Sequence, residues 1–425
     1  MTNAVRLLRL LALAALLGAP LFAASLAGTP GPGQPLEPWD AVRRGMAGAG
    51  EALVDRTTQS VAAPARNAFN ASTAFQLNVS YEEAALERAG DRQAVDAFTF
   101  GALEFSVPIG FLGHIGVAYW PSASVDLDLG GEDGRELSVK GTLQELTAMW
   151  SVRVPFVERL ALGFAWRQTM GAETTDMSWP LDPDDPEPVN ATAEIDYSHK
   201  VRSSGGRPSF SFFWMGRRMN LAAWWNPSYT LERKLDRAAS IDENVGTFGY
   251  SAPFYASDRP RDVESEREEW KQEMPWNAGA ALSLRLTRTQ SLHLDFFQED
   301  WGAEKGWLVP ATPYAASRRV ALETSRRFSL GWTYEGSGRA YDSFWKRSRY
   351  RTGVRWADLA EPGMGELAGA VGCGFALGRR GALVDLAVEA GRRYSEDGLD
   401  PDETFVGIHF GMTGIGQWGQ RARGR

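Results

Sequence analysis

Seven charged residues recur at alternate positions of otherwise apolar or small-residue segments: Arg167, Arg285, Asp295, Arg351, Arg355, Asp385 and Glu389. Two chemistries suit such a set. A guanidinium is a planar fork for a carboxylate, so an inward arginine could hold a ligand's head group. The same charges could simply pair with one another in a hydrated interior, and for any single residue this plainer reading carries more weight. His293 and Asp295 are two apart on one strand face, as a hydrolase would need beside a serine. No Gly-x-Ser-x-Gly elbow accompanies them, so no catalysis is expected. The single cysteine, Cys373, excludes an intrachain disulfide and reads as a small packed residue rather than a nucleophile. Four histidines (His114, His199, His293 and His409) are too scattered for a metal cluster, and no metal or cofactor is expected.

The elements that must position these charges have a period of two. Leu160, Leu162, Phe164 and Trp166 share one face, with Ala161, Gly163, Ala165 and Arg167 on the other. The same alternation runs through 278–286, 328–334, 384–390 and 406–412. A sandwich strand facing a core and water gives this pattern too. The small residues separate the two cases. Glycine and alanine are poor choices for a watery face, but they suit a barrel interior that holds a plug. Aromatics at segment ends, such as Trp166, Trp332, Tyr334 and Trp356, suit an interfacial girdle, and 45 glycines and 16 tryptophans serve turns and girdles alike.

About fourteen strands are expected between residues 71 and 414, with the 192–215 span counted as one. The links between them alternate. A mostly short set comprises 108–113, 155–158, 216–218, 288–289, 336–345 and 378–381. A mostly longer or more polar set comprises 83–93, 129–135, 173–191, 234–275, 302–319, 360–364 and 395–402. Outer-membrane barrels alternate short periplasmic turns with longer outer loops. The fold class is therefore all-β, a transmembrane antiparallel barrel with a plug in its lumen. Closure leaves no unpaired edge in lipid.

The flanks complete the division. Residues 1–27 read as a signal peptide, with Arg6 and Arg9 before the apolar run Leu10–Leu17. Losing those two arginines takes the net charge from −8 to −10, a balance that argues against a nucleic-acid partner. No later run of about 18 apolar residues provides a spanning helix. Residues 28–70 form a linker and plug, 71–414 the barrel, and 415–425 a basic tail.

The stretch Gly45-Met46-Ala47-Gly48-Ala49, followed by Ala52, Asp55 and Ala63-Pro64-Ala65, resembles the N-terminal hatch motif of the FadL/OMPP1 family of outer-membrane transporters, including its PorV-like members. Ala47, Arg56, Ala63 and Arg66-Asn67 depart from that motif. Arg327–Tyr334 and Tyr350–Val354 resemble two of the family's strands. The resemblance implies a fourteen-stranded barrel whose plug carries Gly45, Met46, Gly48, Ala49, Asp55 and Pro64. It implies passive uptake of hydrophobic small molecules such as long-chain fatty acids across the bacterial outer membrane, by a monomer surrounded by outer-membrane lipid. Phe248, Tyr250, Phe254 and Tyr255, in the longest loop, are candidates for first contact with such a ligand. A secretion-associated or surface-attachment barrel and a general diffusion porin are the alternatives. Asp55 could pair with a lumen arginine and latch the plug.

Overall fold

A computed structural model describes residues 34–55, 58–70, 72–88, 91–130, 136–180, 193–243, 267–302, 306–310, 317–337, 341–377, 382–395 and 402–416. The expected signal peptide, the loop aromatics Phe248, Tyr250, Phe254 and Tyr255, and most of the basic tail lie outside these residues.

The wall begins with β2 (Thr73–Arg88), β3 (Asp91–Pro108), β4 (His114–Gly130), β5 (Glu136–Arg153), β6 (Leu160–Pro180) and β7 (Ala193–Met215). It continues through β8 (Met219–Asn226), β9 (Tyr229–Glu243), β10 (Arg267–Met274), β11 (Trp276–Arg285) and β12 (Gln290–Asp300). It ends with β15 (Ser325–Tyr334), β16 (Arg349–Asp358), β17 (Met364–Leu377), β18 (Ala382–Ser395) and β19 (Asp402–Gly416). β19 pairs antiparallel with β2 over Asp402–Gly416, so the sheet closes on itself. A short strand, β1 (Gln34–Pro35), joins the sheet beside β4, and a separate hairpin is made by β13 (Trp307–Val309) and β14 (Arg318–Val320).

β8 and β9 are two halves of one wall strand, interrupted at Pro227 and Ser228, and both pair with β7. β10 and β11 are likewise halves of the next strand, interrupted at Pro275. Proline has no N–H to give the ladder, so both strands break at the same level. Counted this way the closed wall has fourteen strands. The 193–215 span is a single strand.

Which residues face lipid follows the alternation. On β6, Leu162, Phe164 and Trp166 are exposed while Ala161, Gly163, Ala165 and Arg167 are buried. On β18, Leu386 and Val388 face out while Asp385, Ala387 and Glu389 face in. Exposed apolar side chains on β15, β16, β17 and β19, and on β5, extend these faces into an apolar belt, which only a hydrocarbon solvent accommodates at this extent.

Several expected long links are partly strand, 302–319 among them because it holds β13. β2 and β3 continue to Arg88 and from Asp91, leaving two residues between them where 83–93 was expected to loop. β6 runs to Pro180, and β9 and β10 extend to Glu243 and from Arg267. Beyond the belt the outward positions turn polar, as at Glu232 and Lys234 of β9, yet the ladder pairing persists, so loss of the apolar face does not mark the strand's end.

A belt position should tolerate charge poorly in proportion to its depth. Val388→Arg is expected to destabilise the barrel by about 2–4 kcal/mol and Thr404→Arg, farther along the wall, by about 0–1 kcal/mol. Urea unfolding in phospholipid vesicles measures both, and equal losses would contradict the placement of the belt.

Candidate functional site

Residues 36–55 and 58–70 run through the lumen and are almost wholly buried. The path starts with a strap along the wall. β1 lies with Gln34 opposite Ser124 and Pro35 opposite Ala123, and the Leu36 N–H donates to the Ser122 carbonyl at 2.9 Å. Glu37 then pairs with Arg327 at 2.5 Å. Trp39 is surrounded by the guanidiniums of Arg327, Arg44 and Arg355, at 4.5, 5.0 and 5.1 Å from its ring centre. Such cation–π contacts gain strength where water is excluded.

A one-turn helix, α1 (Ala41–Arg44), follows. Asp40 caps it by accepting from the Arg43 N–H at 2.8 Å. The chain then coils tightly through Gly48 and Gly50, whose φ angles are 89° and 113°. A side chain at Gly48 would also overlap the Trp39 indole, so glycine is required there twice over. Met46, fully buried, packs with Val42, Ala49 and Leu53. Pro64–Phe69 form a 3₁₀ turn against β5, β6 and β7 before the chain enters β2.

The wall receives this segment on inward glycines. A Cβ at Gly331 would sit 2.9 Å from the Met46 Cβ, and one at Gly372 would sit 3.0 Å from the Gly45 Cα. A Cβ at Gly353 would meet the Met46 backbone, and one at Gly163 would meet the Ala65 backbone. The motif residues Gly45, Met46, Ala49 and Pro64 thus lie in or beside backbone-to-wall contacts. Gly48 makes the turn.

Buried charges hold the segment in register. Arg43 binds Glu51 at 3.0 Å and Asp40 at 3.4 Å, and donates to the Gln59 carbonyl. Burial alone would lower the Arg43 pKa. The carboxylates of Glu51 and Asp40 reverse this and raise it above the ordinary arginine value. Arg66 instead donates to the backbone carbonyls of Leu53 and Gly50, at 2.9 and 3.3 Å. Burial, reinforced by the neighbouring Arg43 charge, pushes its pKa down to about 10.

The expected lumen charges divide into three groups. Asp295 accepts from the Gly50 and Glu51 N–H groups at 3.1 and 2.8 Å, and Arg167 donates to the Val61 carbonyl at 2.9 Å while pairing with Glu145. Both grip the lumen segment. Arg351 pairs with Asp385 at 2.6 Å, and Arg355 with Glu366 at 2.7 Å and Glu389 at 2.5 Å. Glu389 also faces Arg44 and His409, at 3.5 and 3.4 Å. Arg285 is different: it is exposed at the short-turn end of β11. Asp55 meets Arg349 at 2.8 Å, at that same end. His293 and Asp295 do not pair. His293 hydrogen-bonds Thr333 at 3.2 Å, while Asp295 is occupied by the lumen segment. Cys373 is free and half-buried on β17.

Several participants escaped the sequence reading. Glu145, Glu366 and Arg393 sit at inward parity and could have been found by extending the alternation along β5, β17 and β18. Arg43, Glu51, Arg66 and Trp39 lie in a segment without periodicity, so nothing in their spacing marks them.

Between the lumen segment and the outer end lies a cavity of about 250 Å³. The strap residues Leu36–Trp39 line it, together with Trp120, Trp224, Phe296 and Phe297. Trp301, Trp307, Leu231 and Leu322 form an apolar cluster near its outer side, beside the β13–β14 hairpin. Arg233 stacks on Trp307 at 4.2 Å and binds the Leu308 carbonyl at 2.9 Å. Next to the cavity the wall is interrupted. β3 and β4 are paired only from Pro108–His114 to Leu103–Tyr119. Beyond that level β3 pairs with β2 and β4 with β5, and β1 occupies part of the free β4 edge. Phe98, 48% exposed, stands on β3 beside this interruption.

The closed fourteen-stranded barrel with an occupied lumen has a FadL-like fold. Solved structures agree on the fold. A FadL homologue of Pseudomonas aeruginosa superposes with a TM-score of 0.65 at 14% identity, covering 90% of this chain and 98% of that one. The P. putida toluene transporter TodX gives 0.57 at 12% identity, covering 90% and 99%. The CymD monoaromatic hydrocarbon channel gives 0.52 at 14%, covering 90% and 98%. No curated protein sequence matches significantly. The BamG family model matches residues 40–423, and the chain belongs to the BamG family.

Removing a buried cation leaves its carboxylates uncompensated. Arg43→Met is expected to destabilise the docked segment by about 3–5 kcal/mol. Limited proteolysis in detergent then cuts within residues 40–70 while the barrel survives. A variant as resistant as the native protein would mean that Arg43 and its carboxylates do not hold the segment. Gly353→Val should give the same cleavage pattern by steric exclusion of Met46.

Proposed function

We propose that the protein resides in the outer membrane, after loss of its signal peptide, and passively carries hydrophobic small molecules. Molecules such as long-chain fatty acids or small aromatics enter from the loop end and pause in the lumen cavity. They leave sideways through the interruption between β3 and β4. The observation that carries this reading is the position of that interruption, directly beside a cavity lined by Trp39, Trp120 and Leu36. An apolar solute needs no aqueous path if the wall opens toward lipid. The names of the structural neighbours, a toluene transporter and a monoaromatic hydrocarbon channel, support the same solute class.

The gate in this reading is the strap. Gln34 and Pro35 bond to the free edge of β4, and Glu37 and Trp39 tie the strap across the lumen to β15 and β16. Withdrawal of β1 would clear the edge without disturbing the other wall strands. The concentration gradient of the solute supplies the drive, and strap movement sets the rate. The protein works as a monomer within outer-membrane lipid.

Pro35 and Ala123 are Cα partners. In a Cys373→Ser background, Pro35→Cys with Ala123→Cys should cross-link the strap to β4. Uptake of labelled oleate or toluene by cells lacking their own carrier is expected to fall by about tenfold, on the order of 1.4 kcal/mol, and to recover with reductant. Undiminished uptake by the cross-linked protein would exclude the strap as the gate.

A further inference from the structure

The short-turn end of the barrel holds a second cavity, of about 550 Å³, on the opposite side of the lumen segment. Leu53, Val54 and Asp55 form part of its lining. Its rim comes from two neighbouring hairpin turns. Arg217 and Arg218 lie between β7 and β8, and Arg285 and Arg288 lie at the β11–β12 turn. β8 and β11 are paired, and the Arg285 N–H donates to the Arg218 carbonyl at 2.8 Å, so the two turns are held together.

Arg349 adds a fifth guanidinium to the lining, against two carboxylates, Asp55 and Glu335. Arg349 holds both of those carboxylates, at 2.8 and 3.0 Å. Arg217, Arg218, Arg285 and Arg288 are exposed and make no ion pair among the described residues. Like charges gathered at one mouth repel one another, and the arrangement is relieved by a counter-ion. Guanidiniums suit carboxylate and phosphate oxygens in particular, because two parallel N–H groups meet two oxygens. The hydroxyls of Ser283 and Ser291 supply further donors in the lining.

We propose that this inner-mouth cavity is a binding site for a small anion bearing a carboxylate or a phosphate group. The bound anion competes with Asp55 for Arg349 and so loosens the Leu53–Asp55 part of the lumen segment. The site does not depend on the transport reading, since it is defined by binding alone.

Pyrophosphate serves as the probe, titrated calorimetrically into the purified full-length protein in zwitterionic nanodiscs at low ionic strength. Saturable binding is expected, weakened by about tenfold or more in Arg217→Gln/Arg288→Gln. Asp55→Asn, which removes the competing carboxylate, is expected to tighten it. A parallel arm uses nanodiscs containing phosphatidylglycerol and follows protection of the same arginines from phenylglyoxal. Protection there without pyrophosphate binding assigns a lipid phosphate rather than a free anion, and the class of ligand stands. Absence of binding in both arms overturns the site. Binding that is indifferent to the arginine pair and to Asp55→Asn overturns it equally. Heat-modifiability on gels checks that each variant has formed its barrel.

Discussion

Everything in this molecule follows from the width of a fourteen-stranded barrel. Inward side chains of that many strands cannot meet at the axis, so the interior must hold water or a piece of chain. Here it holds residues 36–55 and 58–70. Contact between two backbones is closer than side chains allow, and the wall therefore presents glycine at Gly163, Gly331, Gly353 and Gly372. The small residues that alternate with the apolar belt are the imprint of the chain inside.

A chain packed in a lumen carries peptide groups that need partners. The wall answers with polar side chains: Asp295 accepts from two N–H groups and Arg167 donates to a carbonyl. Burying such a charge is costly, and for Arg167 the counter-charge of Glu145 offsets it. The result is a linked set. Arg355 bridges Glu366 and Glu389, Arg393 continues from Glu366 to Glu82 and Glu403, and Glu389 reaches Arg44 of the lumen segment. Few of these ions are left over for a solute, which is why the aromatic lining beside the wall interruption, rather than the charged one, carries the functional reading.

The alternation along β6 and β18 was legible in the sequence because lipid on one side and packed chain on the other impose a strict period of two. It is blind where that contrast ends. β9 continues to Glu243, past the point where its outward positions turn charged at Glu232, Lys234 and Asp236, so its limit could not be read. Pro227 lay inside an expected strand and Pro275 at the end of an expected link, and that the two breaks lie side by side depends on the register of β8 and β9 with β11 and β10. The grip of Asp295 on Gly50 and Glu51 joins residues about 245 apart, a relation no local pattern carries. The hatch motif was readable through its glycines, while Arg43 and Arg66, which hold the coil together, stand in positions that only the folded path defines.

The docking of α1 against β17, β18 and β19 bears on the order of assembly. The lumen segment leads directly into β2, and β2 is the strand that must find β19 to complete the cylinder. The cradle for α1 therefore exists only once the last strands are in place, and those strands enclose an interior only once the first has joined them. Sealing of the seam therefore comes first and seating of the segment second, so the chain that enters β2 docks only after the last strands have joined the wall.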